Sequence, residues 1–294
     1  MDQQLSPGWL GQRAPVAWIL GLGLIGGSWA GALSARGWKV IGYDLDKISL
    51  ETALSWGWIK SGCSRLPSHI DADLIILALP LKILLPIMDD LKERVGKGTI
   101  ITDVCSLKVQ VAEKALRFTE QGAFFIGGHP MTGSEKSGFQ AANPDLFKGY
   151  PYVLTPDDHT PPQVVDRLAK LIKEMGAKLV YRKPLEHDRE VGMISHLPHV
   201  LAVVLAQSTR DLERTEGLAP IVLAGRSFRD MTRIADSSPK MWQDIFLNNR
   251  ESLLESIDIW EKQMNYFKRY LQEMDEEGIE AAFKEAQEAR KQLD

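Results

Sequence analysis

Gly21, Gly23 and Gly26 stand at G-x-G-x-x-G spacing directly after the apolar run Val16–Leu20. Glycines so spaced build a phosphate cradle. The first permits a tight turn, the second lets the backbone approach a pyrophosphate, and the third lets the next helix pack closely on the strand. Leu24 and Ile25 then open a helix whose free N–H groups and positive dipole end favour an anion. A second run, Lys39–Tyr43, closes on Asp44, roughly 20 residues after the turn, where a carboxylate can accept from a ribose 2′-hydroxyl. Strand, turn, helix and acid in this order predict a dinucleotide site. Asp44 predicts NAD, because a 2′-phosphate would meet a carboxylate. A third apolar run, 74–79, ends on Leu79 and is followed by Pro80, where open α/β sheets bind ligands.

Three further clusters could act on a bound molecule. Ser106, in Asp103-Val-Cys-Ser-Leu-Lys108, follows a fourth run and is placed to cap a helix, to touch substrate, or both. His129 lies in a segment rich in glycine and polar residues that also holds Thr132, Ser134 and Glu135. It stands at a strand end, bracketed by Gly and Pro, which predicts a tight loop over the sheet edge, and its neutral form can accept a proton near pH 7. His196 and His199 share a helix face further on. Arg229 and Arg233, four apart, could pair with Asp230 and Asp236 or receive a carboxylate in bidentate fashion. No further ligands accompany the two histidines at metal spacing, so no metal is expected. Cys105 lacks a nearby base and reads as a small buried residue.

The elements that must position these residues alternate strand and helix from residue 14 to 184. Strand-like runs fall at 16–20, 40–43, 74–79, 99–102, 124–126, 152–154 and 178–181. The pattern predicts an α/β fold with an N-terminal, Rossmann-type, doubly wound and mostly parallel sheet. After Pro184 the strand signals stop, and residues 186–214, 219–225, 240–274 and 277–293 read as helices. Residues 1–13 read as a loose leader, 14–184 as the dinucleotide-binding domain and 185–294 as an all-helical substrate and dimerisation domain. The runs 201–205 and 221–223 read as buried on every side, in a bundle or against a second subunit, and the last helix as a solvated face.

Composition is ordinary for a globular chain, 44% hydrophobic with a formal net charge of −4, which argues against nucleic acid as a partner. Two cysteines without a C-x-x-C fit a reducing compartment, and a cytoplasmic location is expected. Residues 14–35 carry no charge, but glycines at fingerprint spacing sit in their centre. They read as strand, turn and helix rather than a membrane span, and no other segment reads as long and apolar enough to cross.

The chain resembles the prephenate/arogenate dehydrogenase family of tyrosine biosynthesis. The likeness runs from Val16 to about Arg250 and is carried by GLGLIGGS, DVCSLK, GGHPMTGSEKSG, EHDREVGMISHLPH and SFRDMTRIADSSPKMW, in that order. It implies a Rossmann domain followed by a helical dimerisation domain, NAD as cofactor and a homodimer. It implies His129 as the catalytic histidine and Ser106 as the serine contacting the same substrate hydroxyl. It further implies His196 as a substrate-domain histidine and Arg233 as the arginine that binds a substrate carboxylate, with Arg229 in the same motif. Thr132, Ser134 and Glu135 join the expected substrate contacts. Prephenate is the expected substrate, with arogenate the alternative. Neither the regulatory ACT domain some relatives append nor a chorismate mutase segment ahead of the glycine turn is expected. A β-hydroxyacid dehydrogenase would carry a lysine in the second domain, and none occurs between Glu186 and Pro239. A catalytically silent NAD sensor would have lost the histidine or the arginines, and all are present.

Overall fold

The computed structural model describes residues 13–133 and 138–293. The chain separates into two compact units. One runs through Asp188 and takes in Ser237–Ile245, and the other holds Arg189–Asp236 and the residues from Phe246 onward. The leader expected at 1–13 lies outside the described residues except for Arg13, which pairs with Asp73 at 3.1 Å.

The first unit is built on one eight-stranded sheet. Its strands are β1 (Val16–Leu20), β2 (Lys39–Tyr43), β3 (Ser61–Cys63), β4 (Leu74–Leu77), β5 (Ile100–Asp103), β6 (Phe124–Pro130), β7 (Pro151–Pro156) and β8 (Lys178–Tyr181). Their order is β3-β2-β1-β4-β5-β6-β7-β8, and every neighbouring pair is parallel except β6 with β7. Seven of these strands are visible as apolar runs. β3 escapes because Ser-Gly-Cys offers no such run; it forms by pairing with Ile41–Tyr43 of β2.

Side chains alternate across each strand. Ala17 and Ile19 of β1 and Ile76 of β4 therefore enter one core with Trp29 and Tyr152. Trp18, Leu20, Ile75 and Leu77 enter a second core with Phe118 and Phe125. Both faces are thus covered, by α1 (Leu24–Ser34), α2 (Lys47–Ser55), α3 (Leu81–Leu91), α4 (Val109–Glu120) and α5 (Pro162–Glu174). Pro162 stands in the first turn of α5, where the missing N–H costs nothing. The uncharged stretch 14–35 is folded as β1, the glycine turn and α1.

After Tyr181 no strand occurs among the described residues. A continuous helical run follows: α6 (Pro184–Val191), a π-helical turn over Gly192–His196, and α7 (Leu197–Glu216). Gly217 ends it in the left-handed region, at φ 68°. Then come α8 (Arg226–Thr232), α9 (Pro239–Asn248), α10 (Arg250–Glu273) and α11 (Glu276–Arg290), with short 3₁₀ turns at Pro220–Leu223 and Arg233–Asp236.

Two expectations are corrected here. The run Pro184–Glu216 is also long and apolar enough to cross a membrane, with an 18-residue window of mean hydropathy 1.4 that is only 28% buried. No charge falls between Val191 and Thr209, and the scattered His and Pro conceal that in the sequence. Within one chain the runs 201–205 and 221–223 are not buried on every side, which leaves burial against a second subunit as the reading that remains. Val203, Val204 and Leu205 are exposed on α7, and Val222 and Leu223 are 79% and 86% exposed.

Candidate active site

The glycine turn lies where the chain reverses its direction of progress along the sheet, between β1 and β4. Ligands bind there in open α/β sheets. Gly21 sits at φ +95°, and a Cβ on it would meet the Ala78 carbonyl oxygen at 2.3 Å. A Cβ on Gly26 would meet the Gly21 carbonyl oxygen at 1.9 Å. Those two glycines are required by the protein itself. Gly23 is not: its φ of −79° suits any residue, and a Cβ there would touch nothing within 4 Å. Close approach by a ligand is the reason left for it, so the residues present fit a dinucleotide. Leu24 and Ile25 are half-buried in the first turn of α1, whose N-cap, Gly23, has no side chain to offer it. Leu79 and exposed Pro80 follow β4, and Pro80 is the N-cap of α3.

Asp44 joins this turn to the end of β2. Its Oδ2 accepts from Leu22 N at 2.6 Å, and its Oδ1 accepts from Asp46 N at 2.8 Å. A carboxylate offers about four lone pairs, so each oxygen keeps one for a ribose hydroxyl. Asp46 caps α2 through Ile48 N and Ser49 N, and its hydrogen bond from the Ser49 hydroxyl lowers its pKa.

His129 is inside a strand, not in a loop over the sheet edge as expected. It pairs with Val153 in the antiparallel ladder of β6 and β7, in the interior of the sheet. The preceding glycines explain the misreading. A Cβ on Gly127 would meet Thr155 Oγ1 at 2.2 Å, and one on Gly128 would meet the Asp103 carbonyl oxygen at 2.7 Å. They serve close strand packing rather than a turn. Half-buried His129 places Nδ1 2.8 Å from His187 Nε2, with the rings near perpendicular at 71°. His187 Nδ1 is 2.7 Å from Asp188 Oδ1. His187 and Asp188 are 1% and 4% exposed.

Beneath this chain lies a second buried pair. The Lys108 ammonium donates to Asp103 Oδ2 and to the Gly128 carbonyl at 2.7 Å, and both side chains are fully buried. Asp103 also accepts from Gly128 N at 3.1 Å and Cys105 N at 2.9 Å. Ser106 is half-buried after β5 but does not cap α4. Asp188 does, accepting from Lys108 N at 2.8 Å and Val109 N at 2.9 Å. Cys105 is buried, and burial pushes its thiol up to about 12, so it remains neutral. Thr132 is half-buried just past β6; Ser134 and Glu135 lie outside the described residues. Sequence reasoning missed His187 and Asp188. The available signal was an adjacent His-Asp pair opening the first helix after the last strand.

In the second unit His196 lies in the π turn, 1% exposed, with Nδ1 accepting from Asn249 Nδ2 at 3.1 Å. The turn packs tightly on α10: a Cβ on Gly192 would meet the Ser252 carbonyl oxygen at 3.2 Å. His199 Nδ1 donates to the Ser195 carbonyl at 2.8 Å, and burial lowers its pKa. Arg229 on α8 and Arg233 just after it are exposed. Asp230 pairs with Arg226 at 3.4 Å, and among the described residues neither Arg229 nor Arg233 forms an ion pair.

Residues 29–181 match the prephenate dehydrogenase nucleotide-binding domain, and residues 183–285 match the prephenate dehydrogenase dimerization domain. The chain belongs to the prephenate dehydrogenase family. It is 37% identical to the prephenate dehydrogenase of Bacillus subtilis (strain 168), over 92% of this chain and 74% of that one. It is 35% identical to the prephenate dehydrogenase of Lactococcus lactis subsp. cremoris, over 94% and 77%. The crystal structure of prephenate dehydrogenase from A. aeolicus in complex with hydroxyphenyl propionate and NAD+ matches with a TM-score of 0.88 at 30% identity, over 97% of this chain and all of that one. With the family shown, the β-hydroxyacid dehydrogenase alternative falls away.

Proposed function

We propose that this chain catalyses the NAD-dependent oxidative decarboxylation of prephenate to 4-hydroxyphenylpyruvate. The observation that carries the substrate is the 37% identity to a prephenate dehydrogenase across nearly the whole chain. The glycine turn and Asp44 hold the dinucleotide by its pyrophosphate and ribose, with Leu79 and Pro80 beside them. When bound, NAD accepts the hydride leaving the hydroxyl-bearing ring carbon. The ring carboxylate leaves as carbon dioxide, its electron pair completing the aromatic ring.

His129 accepts the hydroxyl proton, and Ser106 fixes that hydroxyl in place. Arg233 takes a substrate carboxylate as a charge-assisted pair, with Arg229 adding positive potential. His196, Thr132, Ser134 and Glu135 complete the substrate contacts. The homodimer forms through the helical unit, and the enzyme works in the cytoplasm, where Cys63 and Cys105 stay as thiols.

Replacing His129 with Asn is the test of the chemistry. We expect kcat to fall roughly 100-fold or more, with NAD affinity unchanged. Near-normal turnover would remove His129 from the role.

A further inference from the structure

His187 and Asp188 have no part in the chemistry so far, yet both are buried directly behind the residue that performs it. Capping α4 accounts for the Asp188 carboxylate alone; it does not account for a histidine set between that carboxylate and His129. With both histidines neutral, the hydrogen bonds fix the tautomers. Asp188 already accepts from Lys108 N and Val109 N and, as a carboxylate, can only accept. His187 Nδ1, 2.7 Å from it, is therefore the N–H. In neutral His187 the other nitrogen, Nε2, is then an acceptor, and it lies 2.8 Å from His129 Nδ1. His129 then carries its proton on Nδ1, which leaves Nε2 unprotonated. The nearby Lys108 ammonium is engaged by Asp103 and the Gly128 carbonyl, so it does not compete for His187.

We propose that His187 and Asp188 are positioning residues that hold His129 in the tautomer able to accept a proton at Nε2. The inference rests on the function proposed above. When the substrate hydroxyl gives its proton to Nε2, His129 becomes an imidazolium whose Nδ1–H is already bonded to His187 Nε2. Behind it the Asp188 carboxylate faces the charge through His187. No further reactant is needed: the hydride goes to NAD, and the proton stays on the histidine until solvent takes it.

The test combines spectra and kinetics. Nitrogen-15 NMR of the histidine-labelled protein, which has six histidines, reads the protonation of each ring nitrogen, and His129→Asn assigns the signals. Wild type is expected to show His129 protonated at Nδ1 and unprotonated at Nε2. His187→Leu is expected to show mixed tautomers and a kcat about 100-fold lower, with KM for prephenate and NAD affinity within about twofold. His187→Gln offers an amide oxygen to His129 and an amide N–H to Asp188, and should return kcat to within about tenfold of wild type.

A wild-type spectrum with His129 protonated at Nε2 would overturn the proposal without any variant. So would a His187→Leu kcat within threefold of wild type. So would a Gln variant no better than Leu, with thermal stability falling equally in both, since that describes a structural role. If wild type does not turn over prephenate, the functional reading fails and the nitrogen spectra alone decide this one.

Discussion

Asp44 and His129 are the two candidate residues whose hydrogen-bond partners constrain them most. Asp44 is held by Leu22 N and Asp46 N at the end of β2. A 2′-phosphate placed against it costs about 2 kcal/mol or more, so we expect NAD over NADP by at least roughly 30-fold in kcat/KM. Steady-state kinetics with both cofactors checks this, and Asp44→Ser with Leu45→Arg should erode the preference. Arg233→Ala should raise KM for prephenate about 100-fold through loss of a charge-assisted pair. An unchanged KM would hand that role to Arg229. At pH 8, iodoacetamide should label half-buried Cys63 and spare Cys105, whose thiol is held near 12 by burial; both should react after denaturation. The glycine spacing, Asp44 and the GGH segment were legible because each is local in sequence. His187 and the capping of α4 by Asp188 were not, because they join residues far apart in the chain. Ser106 looked like the cap only because that partner was invisible.

The strands β5 and β6 and the start of α4 are clamped by one buried ion pair. The Lys108 ammonium bridges Asp103 on β5 and the Gly128 carbonyl on β6, next to His129. Removing one partner strands a charge in a dry core, which costs about 3–5 kcal/mol. Chemical denaturation of Lys108→Met should show a loss of that size. A loss below 1 kcal/mol would mean that water reaches Asp103. The sheet was legible as alternating apolar runs wherever both faces are buried, as in β1, β4 and β5. β3 failed the same test because three residues with glycine in the centre pair by backbone alone. The π turn at Gly192–His196 carries no signal in hydrophobic period, and its tight packing on α10 explains the glycine only once α10 is in place.

The helical unit leaves Val203, Val204, Leu205, Ile221, Val222 and Leu223 exposed in a single chain. So much adjacent apolar side chain in one unit calls for a cover, and the family's second domain is a dimerization domain. Light scattering at micromolar concentration should give twice the mass of one chain, and a monomer would contradict the dimer. The sequence shows these runs as apolar but not what buries them, since one chain's pattern cannot separate a core from an interface. Purified protein given NAD with prephenate, and in parallel with arogenate, should be followed by nicotinamide absorbance and product chromatography. One reduced NAD per 4-hydroxyphenylpyruvate, with kcat/KM favouring prephenate, is the predicted result. No reduction with prephenate, or reduction with arogenate alone, would contradict it.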